Sequence, residues 1–139
     1  MPNVNYILYS DTDGMIRQSG SCDQETLPFM TTAFGPGYSI MTVPAQDYRH
    51  DIDALSYVLD GKITAKVAAV DTTEFSIQAN GQDTVSFAVP AGTSVVHENR
   101  IVLIEDSLFE FSTDVVGDHQ FRFIAPAAFF NFEVTVHAV

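Results

Sequence analysis

Residues that could do acid–base chemistry cluster at 49–53, where an arginine, a histidine and two aspartates stand within one short segment. A histidine beside a carboxylate can act as a general base, and Asp51 or Asp53 could serve a hydrolase. The sequence offers neither a nucleophile nor a cleft to go with them, so a charged loop is the favoured interpretation. We therefore predict that the chain is not an enzyme, and a hydrolase ranks last among its functions.

Residue types that bind metals are present, but their spacing does not match a metal-binding motif. The segment Asp-Thr-Asp-Gly at 11–14 matches the start of a calcium loop, yet Met-Ile-Arg follows where more oxygen ligands are needed. The histidines at 50, 97, 119 and 137 never stand three or four positions apart, and His137 alternates with apolar residues as a surface position would. Sequence motifs for phosphate loops, zinc peptidases and serine hydrolases do not occur. We predict no metal and no cofactor.

The charge balance narrows the range of partners. The net charge is −12, with only six lysines and arginines, and residues 71–139 alone carry ten acidic and two basic residues, a net of −8. Nucleic acids and anionic membranes are bound through basic patches, so we expect neither a nucleic-acid partner nor a membrane surface. No apolar run approaches the ~20 residues of a membrane-spanning helix, so membrane insertion is not expected either.

The elements that position these residues are clearest in the second half. Apolar and polar residues alternate there over short runs separated by turn residues, which predicts an antiparallel β-sandwich. The predicted strands are 74–79, 83–89, 93–97, 100–105, 108–113, 119–124 and 130–139. Turns at 80–82 and 97–100 are predicted to close hairpins. The continuous apolar run 101–104 predicts a strand segment that could be buried on both faces.

The first half indicates a smaller β-rich unit. Strands are predicted at 4–9, 15–19, 38–43, 56–59 and 62–66, with hairpin turns at 10–14 and at Asp60-Gly61. Residues 23–26 could open one helical turn, which Pro28 should limit, and 46–55 is ambiguous. The fold class is thus all-β. We assign residues 1–66 to a small β-rich unit, 67–71 to a short apolar linker and 72–139 to an antiparallel β-sandwich.

The compartment is predicted from two features. Cys22 is the single cysteine, so no intrachain disulfide can form. The first residues lack the basic region and apolar core of a signal peptide. We therefore expect folding in a reducing cytoplasm.

A family resemblance adds a functional expectation. The opening Tyr-Ile-Leu-Tyr at 6–9, followed by Ile-Arg-Gln-Ser-Gly-Ser-Cys at 16–22, resembles small structural proteins of tailed bacteriophages, whose first unit often ends in a segment like 57–63. The runs at 80–85, 89–95 and 109–114 are similar to immunoglobulin-like modules of phage virion proteins. The Gly-Thr-Tyr turn of those modules is Gly-Asp-His at 117–119 here. The resemblance implies that 72–139 is an immunoglobulin-like sandwich and that 1–66 is a docking unit. It also implies a virion protein assembled in the host cytoplasm.

Several functions follow as hypotheses. The first is a non-enzymatic tail or tail-fibre component that contacts other virion proteins, further copies of itself, or a host-surface glycan or protein. The second is a capsid decoration protein, which would differ in copy number. The third is a carbohydrate-binding module. Such a module would stack sugars on exposed tyrosines of the first half, namely Tyr9, Tyr38, Tyr48 and Tyr57. The same four tyrosines are the predicted contact residues of the protein in general.

Overall fold

The computed structural model describes residues 3–139 and confirms the all-β fold class. The chain divides into two compact units, the first ending at Lys66 and the second spanning Val67–Val139. Val67, which we assigned to a linker, is held in the second unit by a parallel bridge to Phe129. Each unit has its own core and is described separately.

The first unit is built on a three-stranded antiparallel sheet with β1 in the centre. Its strands are β1 (Asn3–Ser10), β2 (Ile16–Asp23) and β3 (Tyr38–Val43), in the order β2-β1-β3. A separate hairpin contains β4 (Ser56–Leu59) and β5 (Lys62–Ala65). The predicted hairpin at Asp60-Gly61 is confirmed, because both residues have the positive φ values, 52° and 74°, of the turn that matches strand twist.

Two helices complete this unit. Helix α1 (Leu27–Phe34) follows a 3-10 turn at Gln24–Thr26 and runs through Pro28. Our prediction that Pro28 limits the helix was wrong. The proline occupies the first turn, where its missing N–H has no helical partner to lose. The ambiguous segment 46–55 ends in a short helix, α2 (Ile52–Leu55).

The core of the first unit lies between one face of its sheet, α2 and the β4–β5 hairpin. Ile7 of β1 is fully buried there. The other buried members are Ile16, Val43, Ile52 and Val58. Because Ile52 and Val58 come from the segments that follow the sheet, burial of this cluster holds α2 and the hairpin against it.

The second unit is a sandwich of a five-stranded and a two-stranded sheet. Its strands are β6 (Glu74–Ile77), β7 (Val85–Ala88), β8 (Ser94–His97), β9 (Arg100–Leu103), β10 (Leu108–Phe111), β11 (Gly117–Ile124) and β12 (Phe132–Ala138). The large sheet has the order β6-β12-β11-β8-β9, and β10 pairs with β7 in the small one. All seven predicted strands are present, and they form the two sheets of the predicted sandwich.

Two details of the topology differ from the prediction. The turn 80–82 does not close a hairpin, because β6 pairs with β12 while β7 pairs with β10 in the other sheet. The turn therefore carries the chain from one sheet to the other. The pairing of β6 with β12 is also parallel rather than antiparallel. Alternation predicts which face of a strand is buried, but neighbouring strands are chosen by tertiary packing.

Phenylalanine rings fill the space between the two sheets. Phe123 of β11 is fully buried and lies 5.1 Å from Phe109 of β10, centroid to centroid. Phe87 of β7 contacts both rings, and Phe132 of β12 stacks on Phe123 at 4.6 Å. The alternating phenylalanines of the sequence thus point inward as predicted, and burial of the rings joins the sheets.

Candidate functional site

The acid–base cluster at 49–53 lies at the start of α2. Arg49 Nε is 3.2 Å from Asp51 Oδ1, and both side chains contact solvent. His50 and Asp53 are exposed, whereas Ile52 points into the core of the first unit. The segment thus forms a solvated turn with one exposed ion pair, a contact of small energetic value.

The carboxylates of the calcium-like segment serve the β1–β2 turn. Asp13 Oδ1 accepts a hydrogen bond of 2.9 Å from the Met15 amide, and Asp11 Oδ1 accepts one of 2.5 Å from the Ser39 hydroxyl. The turn interpretation is confirmed by the amide of Gly14, which donates to the Ser10 carbonyl. Within residues 3–139, no three His, Cys, Asp or Glu side chains are grouped closely enough to hold a metal ion.

His137 forms the most connected polar site of the second unit. Its Nδ1 lies 2.6 Å from Asp118 Oδ1 on β11, and its Nε2 lies 3.4 Å from Glu74 Oε1 on β6. The hydrogen bond with Asp118, supported by the one with Glu74, raises the pKa of His137 above its ordinary 6.5. Since His137 itself is on β12, the site connects three adjacent strands and has a structural role.

The four tyrosines of the predicted contact surface are half-buried and lie in different parts of the first unit. Tyr9 and Tyr48 pack against its core. Tyr38 begins β3 and makes an edge-on contact with Phe34 of α1, at 5.9 Å between ring centroids. Tyr57 lies in β4. Tyr9 and Tyr38 are offset by one residue in the β1–β3 register and so point to opposite faces of the sheet.

The exposed edge of β9 is an unusual surface of the second unit. Ile101, Val102 and Leu103 are 68%, 56% and 54% exposed, and only Ile104 of the apolar run is buried. The prediction that this run is buried on both faces was therefore wrong. Within residues 3–139, β9 is the last strand of its sheet and pairs only with β8. We call Arg100–Leu103 the apolar edge.

The backbone of the apolar edge has free hydrogen-bonding groups. The Ile104 amide donates to the Thr93 carbonyl at 2.9 Å, so even-numbered residues of β9 direct their polar groups toward β8. In an antiparallel pair the direction alternates from residue to residue. Ile101 and Leu103 therefore direct their N–H and C=O groups away from β8, as required of a template for another strand.

A groove adjoins the apolar edge on its inner side. It has a volume of about 480 Å³, and its floor is apolar where Val95, Val102 and Phe109 line it. Its rim is acidic, with Glu105, Asp106 and Glu110. Val95 packs against the core and lies opposite Val102 in the β8–β9 register. Val102 is thus on the inner face, while Ile101 and Leu103 are on the outer face.

The sequence predicted the strand that became β9, but it did not predict that this strand lies exposed at the edge of its sheet. A run of four apolar residues is typical of a strand buried on both faces. The sequence pattern is the same when no layer covers the outer face and no second strand lies beside the edge. Glu98 and Asn99 both have positive φ, 49° and 65°, in a tight two-residue turn that makes β8 one neighbour of β9. A hairpin turn does not indicate whether a strand lies on the other side, so the sequence carries no signal of the edge.

Comparisons with family models, curated proteins and solved structures found no match to this chain. None of the helices in residues 3–139 has the length and apolar character that crossing a bilayer requires.

Proposed function

We propose that the protein is a non-enzymatic structural component of a tailed-bacteriophage virion, located in the tail or tail fibre. It binds a neighbouring protein chain through the apolar edge of its second unit. The family resemblance of the sequence suggests the virion, and the apolar edge supplies the means of assembly. The observation that carries the proposal is the edge itself, which exposes three consecutive large apolar residues beside free backbone groups.

Strand addition explains why such an edge would persist. Soluble proteins usually protect edge strands with lysine, proline, a bulge or an inward-pointing charge, because an open edge recruits other strands. Within Ile101–Leu103 the chain has none of these residues. A partner strand would satisfy the outward backbone groups and bury part of the apolar side chains at the same time.

A carbohydrate-binding module fits the geometry less well. Sugar rings stack on aromatic side chains that share one exposed face. Here Tyr9 and Tyr38 lie on opposite faces of one sheet, and Tyr9 and Tyr48 pack against the core. A hydrolase centred on Asp51 or Asp53 would need a nucleophile or activated water in a cleft. The segment at 49–53 instead forms a solvated turn.

The proposal is tested by quantitative mass spectrometry of purified virions from the phage and host that encode this chain. We expect the chain to be present at a few copies per hundred copies of the major shell protein. A ratio near one or one third would favour a capsid decoration protein instead. Complete absence from the particles would overturn a virion role.

A further inference from the structure

We propose that the partner strand at the apolar edge is β9 of a second copy of this chain, paired antiparallel about a two-fold axis that passes beside Val102. This inference rests on the proposed structural function and deepens it by naming the partner. It assigns the edge to assembly between copies.

The backbone pattern selects this register. A two-fold axis at Val102 places Ile101 of each copy opposite Leu103 of the other. These are the two residues whose N–H and C=O groups point away from β8. Each Ile101–Leu103 pair can then exchange two hydrogen bonds, so all outward backbone groups of both residues are used. The two Val102 residues face each other as a non-hydrogen-bonded pair, in which side chains approach most closely.

The side chains complement each other in the same register. Ile101 and Leu103 of the two copies meet on the outer face, while the Val102 pair extends the apolar floor of the groove on the inner face. Arg100 precedes the apolar residues and Glu105 and Asp106 follow them. Antiparallel pairing therefore brings the Arg100 end of each strand to the acidic end of its partner. Arg100 is one of only two basic residues in 71–139, a stretch with net charge −8.

A second copy fits this edge better than an unrelated strand of the same length. In an isologous contact the same surface patch of each copy pairs with itself, so the backbone groups and apolar side chains of both partners find matching groups. The contact is a single short strand, smaller than the interfaces of stable dimers, so its affinity should be modest. Such a contact forms where copies are concentrated, as in an assembled particle.

The test uses the full-length chain with Cys22→Ser and Val102→Cys, incubated at several concentrations in a glutathione redox buffer. Facing residues in a non-hydrogen-bonded pair have Cα atoms about 4.5 Å apart, which suits a disulfide. We expect covalent dimers to form at least about tenfold faster than for the matched control, Cys22→Ser with Val116→Cys. Val116 is also an exposed apolar residue, but it lies outside the apolar edge.

Two further changes in the Val102→Cys background test the register. Ile101→Pro removes an outward N–H while leaving the β8 pairing intact, and it should abolish the rapid crosslinking. Arg100→Glu should slow crosslinking several-fold, and adding Glu105→Arg should restore it. Circular dichroism checks that each variant is folded. If Ile101→Pro unfolds, the charge reversal and its rescue still decide the register.

Equal rates for the Val102→Cys and Val116→Cys proteins would overturn pairing between copies. If neither Arg100→Glu nor Ile101→Pro changes the crosslinking rate, the proposed register is overturned. These outcomes are separate from the virion experiment. A chain found in virions that does not crosslink retains the proposed function and loses the self-pairing. If the chain crosslinks but is absent from virions, the proposed virion function is overturned and the pairing between copies stands.

Discussion

At the scale of single residues, Gly14 shows how a turn and a distant hairpin depend on each other. Gly14 has φ of +75°, and its carbonyl accepts a hydrogen bond of 2.9 Å from the Val58 amide. A Cβ atom placed there would overlap the backbone carbonyl of Val58. The glycine is therefore required both by its backbone conformation and by the close approach of β4.

We expect Gly14→Ala to lower the free energy of unfolding of the first unit by at least about 2 kcal/mol, from left-handed strain together with the overlap. Gly61→Ala is the matched control. Its φ of +74° carries the same strain, but open space surrounds it, and about 1 kcal/mol is expected. Tyrosine fluorescence in a urea titration measures both, because every tyrosine lies in residues 1–66 and the chain has no tryptophan. Equal losses in the two variants would contradict this account of Gly14.

His137 makes the second unit sensitive to pH. Asp118 and Glu74 raise its pKa above 6.5, so the folded state binds the imidazole proton more tightly than the unfolded state does. The stabilising contribution is complete below about pH 6.5 and is lost as pH rises through the raised pKa of the folded state.

The prediction is tested by urea unfolding of the parent and His137→Gln proteins between pH 5.5 and 8.5. The difference in midpoint should be largest at the acid end of the range and should shrink as pH rises. His50→Gln removes an exposed imidazole of the first unit and controls for the loss of a histidine. A difference that grows with pH would reverse the assigned sign.

At the scale of elements, β11 is a central strand of the large sheet of the sandwich. It pairs with β12 on one side and β8 on the other, and its Phe123 contacts rings from three other strands. Phe123→Ala should lower the free energy of unfolding by about 3–5 kcal/mol, because it removes a fully buried ring and leaves a cavity. The matched control Phe29→Ala removes an exposed ring from α1 and should cost well under 1 kcal/mol.

Unfolding of the Phe123→Ala and Phe29→Ala proteins is followed by far-ultraviolet circular dichroism in urea. A loss of less than about 1 kcal/mol at Phe123 would show that the surrounding rings close the cavity. That result would mean that the phenylalanine cluster is loosely packed rather than interlocked.

At the scale of the whole molecule, the net charge and the apolar edge have opposite effects on association between copies. The net charge of −12 keeps copies apart at long range. In the proposed pairing, the apolar edge would attract a second copy at short range, and its basic end would meet an acidic end only when the partner is antiparallel. Repulsion elsewhere on the surface then disfavours other modes of association, which would suit a protein that must assemble in one orientation.

The sequence by itself determined the all-β class, the number of strands in the second unit, the inward direction of its phenylalanines and the Asp60-Gly61 turn. These features depend on neighbours in the chain, because strand alternation and turn conformation are local properties. The tertiary structure alone decided that β6 pairs in parallel with β12, that 80–82 crosses between sheets, and that Ile101–Leu103 is exposed. Each depends on which strand lies beside which. That choice is made by packing between residues far apart in sequence, so four apolar residues in a row cannot reveal whether a second neighbour is present.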